Sequence, residues 1–217
     1  MRKFLGLVFC FIVLTSSAQL KLGISAGYDI AEFATSGGSS QDYSISAING
    51  YHVGLIADNK LSKKFFLITE LQFAHKGGIV DKTSQALTGT SYTMTLNYLQ
   101  LPVTLNYKTD ISKSSKLILG GGFYGAVGLS GKIKGTSYYN TITNIDENVA
   151  FSNNSSNTNV NAVKPIDFGY TFNAGVEWKE YQFKFNYLHG FGSTKPTGST
   201  KFANQTYGLS VAYLLPW

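Results

Sequence analysis

Aromatic and polar residues alternate strictly from Tyr181 to Tyr187, in the order Tyr, Gln, Phe, Lys, Phe, Asn, Tyr. A period of two places successive side chains on opposite faces of a strand, so this segment has one aromatic face and one polar face. Comparable segments recur along the chain. They predict eight strands, at residues 20–29, 49–58, 65–76, 92–107, 116–130, 166–178, 181–190 and 202–215.

The connections between these strands alternate between long and short. They contain 19, 6, 15, 8, 35, 2 and 11 residues in chain order. Outer-membrane barrels have short periplasmic turns and longer extracellular loops, and an even number of strands returns both termini to the periplasm. The pattern therefore predicts an all-β fold, an eight-stranded antiparallel up-and-down transmembrane β-barrel with short periplasmic turns and long extracellular loops.

The strand at 92–107 changes parity midway. Its apolar residues are even-numbered up to Tyr98 and odd-numbered from Leu99 onward. One extra residue in a strand produces this change, so we predict a β-bulge near Tyr98 and Leu99. On this interpretation Met94, Leu96 and Tyr98 face lipid.

Aromatic residues gather near the predicted strand ends, as in the interfacial girdles of membrane barrels. We assign Tyr107, Trp178, Tyr181 and Trp217 to the periplasmic girdle. We assign Tyr28, Tyr51, Tyr92 and Tyr187 to the extracellular girdle. The longest connection, 131–165, is rich in Ser, Asn and Thr over 151–161, which predicts a mobile segment.

The N-terminus has the organisation of a secretory signal peptide. Arg2 and Lys3 precede an apolar run at 4–14, and small residues lead to a predicted cleavage site after Ala18. Eleven apolar residues are too few to cross a bilayer as a helix. The domains are therefore a signal peptide at 1–18 and an outer-membrane β-barrel domain at 19–217.

Composition supports this assignment. Charged residues make up only 14% of the chain, well below the level of about 25% that is typical of soluble domains. The single cysteine, Cys10, lies in the signal peptide, which excludes disulfides and thiolate chemistry from the mature chain. No motif for a metal ion or another cofactor is present. The basic residues are dispersed, so no nucleic-acid partner is predicted.

The polar faces define the candidate site. They place the following residues inside the barrel: Lys21, His52, Asp58, Glu70, Gln72, Gln100, Asp167, Glu177 and Lys184. An eight-stranded barrel is just wide enough for side chains to fill it, and buried charges need partners, so we predict a packed structural network. Lys184 would pair with Glu70, Asp167 or Glu177. A conducting pore and a ligand cavity remain alternatives.

Two further motifs have weaker functional interpretations. His75 and His189 lie near the predicted extracellular rim, where a lipid-modifying site with Ser193 and Asp81 is an alternative to headgroup-zone histidines. Gly120, Gly122 and Gly125 have nucleotide-loop spacing, but the strand alternation continues through Leu129 instead of giving way to a helix. We interpret Gly120, Gly122 and Gly128 as positions that keep one inward face small.

Several segments together resemble one known family. They are Gly50–Leu55, Leu61–Phe65, Glu70–Gly78, Leu96–Pro102, Gly120–Gly125 and Asp167–Gly169. In order and spacing they are similar to the PorT-like family of outer-membrane β-barrel proteins, of the Bacteroidota type. Gln100 stands where that family usually has Glu. The resemblance implies a signal peptide, an eight-stranded barrel, residence in the outer membrane and an association with secretion.

The predicted function is that of a non-enzymatic integral outer-membrane protein with a structural, interaction or envelope and secretion-accessory role. Its predicted partners are outer-membrane lipid and other envelope or secretion proteins. One alternative is a lipid-modifying barrel enzyme. Another is a soluble, secreted lipocalin-like barrel that binds a ligand, in which the aromatic faces would point inward.

Overall fold

A computed structural model describes residues 20–37, 43–84, 88–139, 141–152, 161–192, 194 and 200–216. The predicted signal peptide, Trp217 and Ser193 lie outside the described residues. The strands are β1 (Leu20–Ser36), β2 (Tyr43–Ser46), β3 (Ile48–Lys60), β4 (Phe65–Ser84), β5 (Thr88–Ser112), β6 (Ser115–Tyr139), β7 (Thr141–Asn148), β8 (Ala150–Phe151), β9 (Ala162–Val163), β10 (Ile166–Trp178), β11 (Tyr181–Gly190) and β12 (Lys201–Leu214). Among the described residues, no helix has the length and apolar character needed to cross a membrane.

Eight strands form a closed antiparallel ring. Their order is β10, β11, β12, β1, β3, β4, β5 and β6, and β6 pairs with β10 to close the circle. Closure leaves no free edge within the ring, so the backbone groups can be paired internally, as hydrocarbon requires. The predicted fold class is confirmed.

The predicted alternation sets the direction of the side chains in each strand. In β11, Phe183 and Phe185 are 48% and 47% exposed, whereas Gln182 and Lys184 are buried. The aromatic face therefore points outward, and the polar face points into the barrel. This arrangement is the reverse of the soluble lipocalin-like alternative, which is wrong on this point.

Strand β5 differs from its prediction. Its even-numbered residues point inward along its length, and Met94, Leu96 and Tyr98 are buried in the interior instead of facing lipid. A register shift does occur at Tyr98, but the extra residue is Leu129 of the neighbouring strand β6. The even-numbered residues of β5 face an apolar barrel interior in its upper part and a polar interior in its lower part. The apolar residues of the strand therefore change from even to odd numbers although the inward face stays the same.

Strands β4, β5 and β6 continue well beyond the ring. Both β5 and β6 have 25 residues, whereas a membrane-spanning strand needs about 9–11. Above the membrane, β2 pairs with β4, and β7 pairs with the part of β6 that follows the bulge. The segment 131–139, predicted as loop, is therefore strand, because the bulge shifts its alternation by one residue. Strands β2 and β7 and the upper parts of β4–β6 form what we call the extracellular wall.

The extracellular wall has both polar and apolar side chains. Lys132 of β6 and Asp146 of β7 form an ion pair there, with 2.8 Å between Nζ and Oδ1. The hydrogen bond from Lys132 lowers the pKa of the Asp146 carboxyl. Both side chains are exposed, so this pair contributes little to stability.

Candidate functional site

The barrel interior contains three layers of hydrogen-bonded charges. In the layer nearest the periplasm, Lys108 donates to Asp58 and to Glu177, with 2.6 Å between Lys108 Nζ and Glu177 Oε2. Gln182 Nε2 donates to the same two carboxylates, at 2.7 and 3.0 Å. All four side chains are buried. One cation thus lies between two carboxylates, and an amide supplies further donors.

The middle layer centres on a one-to-one ion pair. Lys184 Nζ lies 2.5 Å from Glu70 Oε1. The other oxygen, Glu70 Oε2, accepts hydrogen bonds from Gln72 Nε2 at 2.8 Å and Ser25 Oγ at 3.0 Å. Gln72 in turn accepts from Gln100 Nε2 at 3.1 Å. Glu70 is therefore the partner of Lys184 among the three candidates considered from the sequence.

The third layer lies toward the extracellular side. Lys76 Nζ donates to Gln100 Oε1 at 3.0 Å and to Asp167 Oδ2 at 3.2 Å. Asp167 also accepts hydrogen bonds from the Tyr124 hydroxyl at 3.1 Å and from Asn204 Nδ2 at 2.8 Å. The carboxylate has three donors around it, which is what a buried charge requires.

His52 and Asp29 form a buried pair beside the middle layer. His52 Nδ1 lies 2.8 Å from Asp29 Oδ2. A side chain at Gly27 would collide with the imidazole, so glycine at this position makes room for the ring. An internal cavity with about 30 Å³ of space for the centre of a water molecule lies alongside. That volume is sufficient for one or two waters and far below the size of a ligand pocket.

A cluster of buried apolar side chains, which we call the apolar plug, lies above the charged layers. It consists of Phe33, Val80, Tyr92, Met94, Leu96, Tyr98, Tyr124, Ala126, Ile133, Val163 and Phe202. Segments beyond the ring contribute to it, because Val163 belongs to β9 and Phe151 of β8 contacts Tyr98 with ring centroids 6.3 Å apart. Part of the long connection is therefore packed into the barrel end. The assignment of Tyr92 to the lipid-facing girdle is wrong, because its side chain is buried inside this plug.

The opposite, periplasmic end of the barrel has an open mouth. A cavity of about 100 Å³, on the same measure, is lined by Lys21, Lys60, Lys108, Lys116, Asp58, Glu177 and Phe66. Lys21 is exposed here on the inward side of β1, opposite Asp58 in the strand register. Of the nine candidate residues it alone is exposed. The other eight, His52, Asp58, Glu70, Gln72, Gln100, Asp167, Glu177 and Lys184, are buried in the interior.

Sequence reasoning missed several members of the interior network. Asp29, Lys76 and Lys108 lie at or just beyond the predicted strand ends, on the inward parity of their strands. Following the alternation to the last predicted residue would have found Asp29 and Lys76, and extending it by one position would have found Lys108. Gln182 was placed on the inward face but not recognised as a link between Asp58 and Glu177.

The two rim histidines lie on the outward face among aromatic rings. His75 Nδ1 is 2.7 Å from Asn97 Oδ1, and the ring stacks on Tyr51 with centroids 5.2 Å apart. His189 Nδ1 is 3.2 Å from Gln205 Oε1. The two strands that carry them, β4 and β11, lie on opposite sides of the ring. The hydrogen bonds of both imidazoles thus go to amides, and the geometry does not join them into one site.

The model of the outer membrane protein beta-barrel domain family matches residues 15–195 of the chain. This protein belongs to that family. Membership places the barrel in the outer membrane of a Gram-negative bacterium, with its aromatic outward face in lipid. A comparison with curated proteins finds no match.

Solved outer-membrane barrels align over nearly the whole chain at low identity. Ail of Yersinia pestis is 12% identical, with 90% of this chain and 98% of that chain covered and a TM-score of 0.38. OprG of Pseudomonas aeruginosa is 10% identical, with 91% and 96% covered and a TM-score of 0.46. Neisserial surface protein A is 10% identical, with 89% and 97% covered and a TM-score of 0.44. Because these TM-scores are all below 0.5, the eight-strand ring is established by the strand pairing within this chain.

Proposed function

We propose that this barrel is a non-enzymatic membrane anchor that presents the extracellular wall to other components of the envelope. One observation carries the proposal: the interior is filled by hydrogen-bonded ion pairs and closed by the apolar plug. From the described residues we therefore expect no continuous path for ions or solutes. The wall, by contrast, extends beyond the membrane and is largely exposed, with Ile142 of β7 at 65% exposure.

The proposal includes cleavage of the signal peptide after Ala18 and contacts with outer-membrane lipid and with envelope or secretion proteins, but not with nucleic acid. The ordered motif resemblance to the PorT-like family favours a role as a secretion or envelope accessory. The lipid-modifying alternative has less support, because His75 and His189 are far apart in the ring and each pairs with an amide.

Planar-bilayer recording tests the closed interior. The refolded barrel, whose insertion is verified by a heat-modifiable gel shift, is expected to show no steady unitary current under conditions in which a porin conducts. Steady unitary conductance would overturn the proposal. An acyl-transfer or deacylation assay with His189→Ala as the matched variant tests the enzymatic alternative, and turnover that this substitution abolishes would favour that alternative.

Site-specific photocrosslinking in native envelopes tests the wall. A photoreactive residue at Ile142 is expected to capture a discrete protein, whereas the same residue at lipid-facing Phe183 serves as the matched control and is expected to capture none. Equal labelling from both positions would contradict a docking role for the wall.

A further inference from the structure

The charges of the described chain are unevenly distributed along the barrel axis. Eight of its fifteen lysines lie at the periplasmic end, against four carboxylates, whereas the other seven lysines are balanced by seven carboxylates. The eight are Lys21, Lys60, Lys63, Lys64, Lys108, Lys113, Lys116 and Lys179. The net charge of +4 therefore lies entirely at this end. Seven of these lysines, all except the buried Lys108, are named the periplasmic collar.

Two members of the periplasmic collar lie against lipid-facing aromatic rings. Lys64 Nζ is 3.1 Å from the Tyr107 hydroxyl and 5.5 Å from the centre of that ring. Lys179 Nζ is 5.2 Å from the Trp178 ring. Aromatic residues at strand ends mark the level of the headgroups, and lysine stems extend along apolar surface so that the ammonium reaches that level. Both cations are thus at the depth of the lipid phosphates.

The backbone at Lys179 gives an independent indication. Its φ is 54°, in the left-handed region that favours glycine and asparagine. A lysine in this conformation costs the two-residue turn some stability, and its exposed side chain has the Trp178 ring as its contact. Unfavourable backbone conformations that persist are a reason to look for a function of the side chain.

We propose that the collar lysines in the periplasmic turns, Lys63, Lys64, Lys113 and Lys179, bind anionic phospholipid headgroups of the inner leaflet, with each phosphate held by a pair of lysines. One such place is formed by Lys113 and Lys179, whose turns are joined by a hydrogen bond from the Lys179 amide to the Ser114 carbonyl. A second is formed by Lys63 and Lys64 beside Tyr107. The inference rests on the outer-membrane placement that family membership establishes, and it is independent of whether the interior is closed.

Quenching of Trp178 fluorescence by brominated lipids tests the proposal directly. The barrel carrying Trp217→Phe, which leaves one tryptophan in the mature chain, is refolded into phosphatidylcholine vesicles that contain brominated phosphatidylglycerol or brominated phosphatidylcholine. We expect about a thirtyfold preference for phosphatidylglycerol, because Lys113 and Lys179 each contribute about 1 kcal/mol near an anionic surface. The preference should fall as salt is raised, since exposed charges are screened.

The matched variants separate the collar from general electrostatics. Lys113→Gln with Lys179→Asn is expected to abolish the preference and keep the fold, because asparagine tolerates the left-handed conformation. Lys132→Gln with Lys134→Gln removes the same charge from the extracellular wall and is expected to leave the preference unchanged. A gel shift confirms that each variant is folded.

Two outcomes would overturn the proposal. One is equal quenching of the unaltered collar by both lipids at low salt. The other is binding of a soluble acidic polypeptide such as polyglutamate together with no preference among lipids, which would assign the collar to an acidic protein. Neither outcome bears on conductance, so failure here is distinguishable from failure of the closed-interior proposal.

Discussion

Removing Lys184 should destabilise the barrel far more than removing the whole ion pair. Lys184 Nζ and Glu70 Oε1 are 2.5 Å apart, and the lysine side chain is only 2% exposed. At an effective dielectric constant of about 20, the attraction at this distance is roughly 7 kcal/mol. Desolvation of the two ions opposes it by several kcal/mol each, so the net contribution of the intact pair is small.

The single substitution Lys184→Met leaves the Glu70 carboxylate buried without its cation, which should cost about 3–5 kcal/mol of unfolding free energy. Glu70→Gln alone should cost a similar amount, because it leaves the ammonium unpaired. The double variant restores neutrality and keeps an oxygen that can accept from Gln72 and Ser25. We therefore expect it to recover most of the lost stability.

Reversible urea unfolding in lipid vesicles, followed by tryptophan fluorescence and by the heat-modifiable gel shift, measures these differences. Lys201→Met, at an exposed position of β12, is the control and should change stability by no more than about 0.5 kcal/mol. Additive effects of the two single substitutions, or a cost of Lys184→Met below about 1 kcal/mol, would refute the reasoning, because either result would mean that water reaches the pair.

Four further predictions concern separate parts of the barrel. Leu96→Ala, in the apolar plug, should lower the unfolding free energy by about 2–5 kcal/mol in the same urea assay, and a loss below about 1 kcal/mol would show that the plug is loosely packed. Phe183→Lys, on the lipid face, should cost about 2–4 kcal/mol, whereas the exposed Lys201→Met remains neutral. Burial raises the pKa of Tyr92, above the membrane, to about 12. The folded state holds this proton more tightly than the unfolded state, so the contribution of the Tyr92 hydroxyl to stability is complete below pH 10 and is lost as the pH rises toward 12. When the folded barrel is titrated by phenolate absorbance, Tyr92→Phe should show one late-titrating group fewer. An unchanged titration would contradict this. Gly27→Val should displace the His52 ring and reduce the folded fraction on gels, while Gly125→Val, where a side chain meets open space, should fold normally.

The fold was predictable because lipid imposes a strict rule on the sequence. Each lipid-facing position must be apolar, so β10, and β11 from Tyr181 to Tyr187, show the period of two without interruption. The rule ends where the membrane ends. In the upper parts of β5 and β6, local packing decides which face of the strand is apolar. The lipid rule alone assigned Met94 and Leu96 to the outside, whereas both side chains lie inside.

The interior network was predictable in its composition but only partly in its members. A lysine on an inward face requires an acid, and Lys184 does have Glu70. The partners of Asp58 and Asp167 were not identified, because they lie on strands that are not adjacent in the ring. Lys108 reaches Asp58 past β4, and Lys76 reaches Asp167 past β5 and β6. Cross-barrel contacts depend on the stagger of the strands around the ring, and that stagger is not encoded in any single strand.

The proposed closed interior restricts where this barrel can interact. Together with an outward band that faces lipid, it leaves two surfaces of the described chain for partners, the extracellular wall and the periplasmic collar. The two surfaces differ in charge, since the described lysines and carboxylates outside the periplasmic end sum to zero. Association through the collar should therefore weaken as salt rises, because exposed charges are screened beyond about 8–10 Å at physiological ionic strength. Association through the wall, which has polar and apolar side chains and little net charge, should be nearly insensitive to salt, so one salt titration assigns any partner found to one end of the barrel.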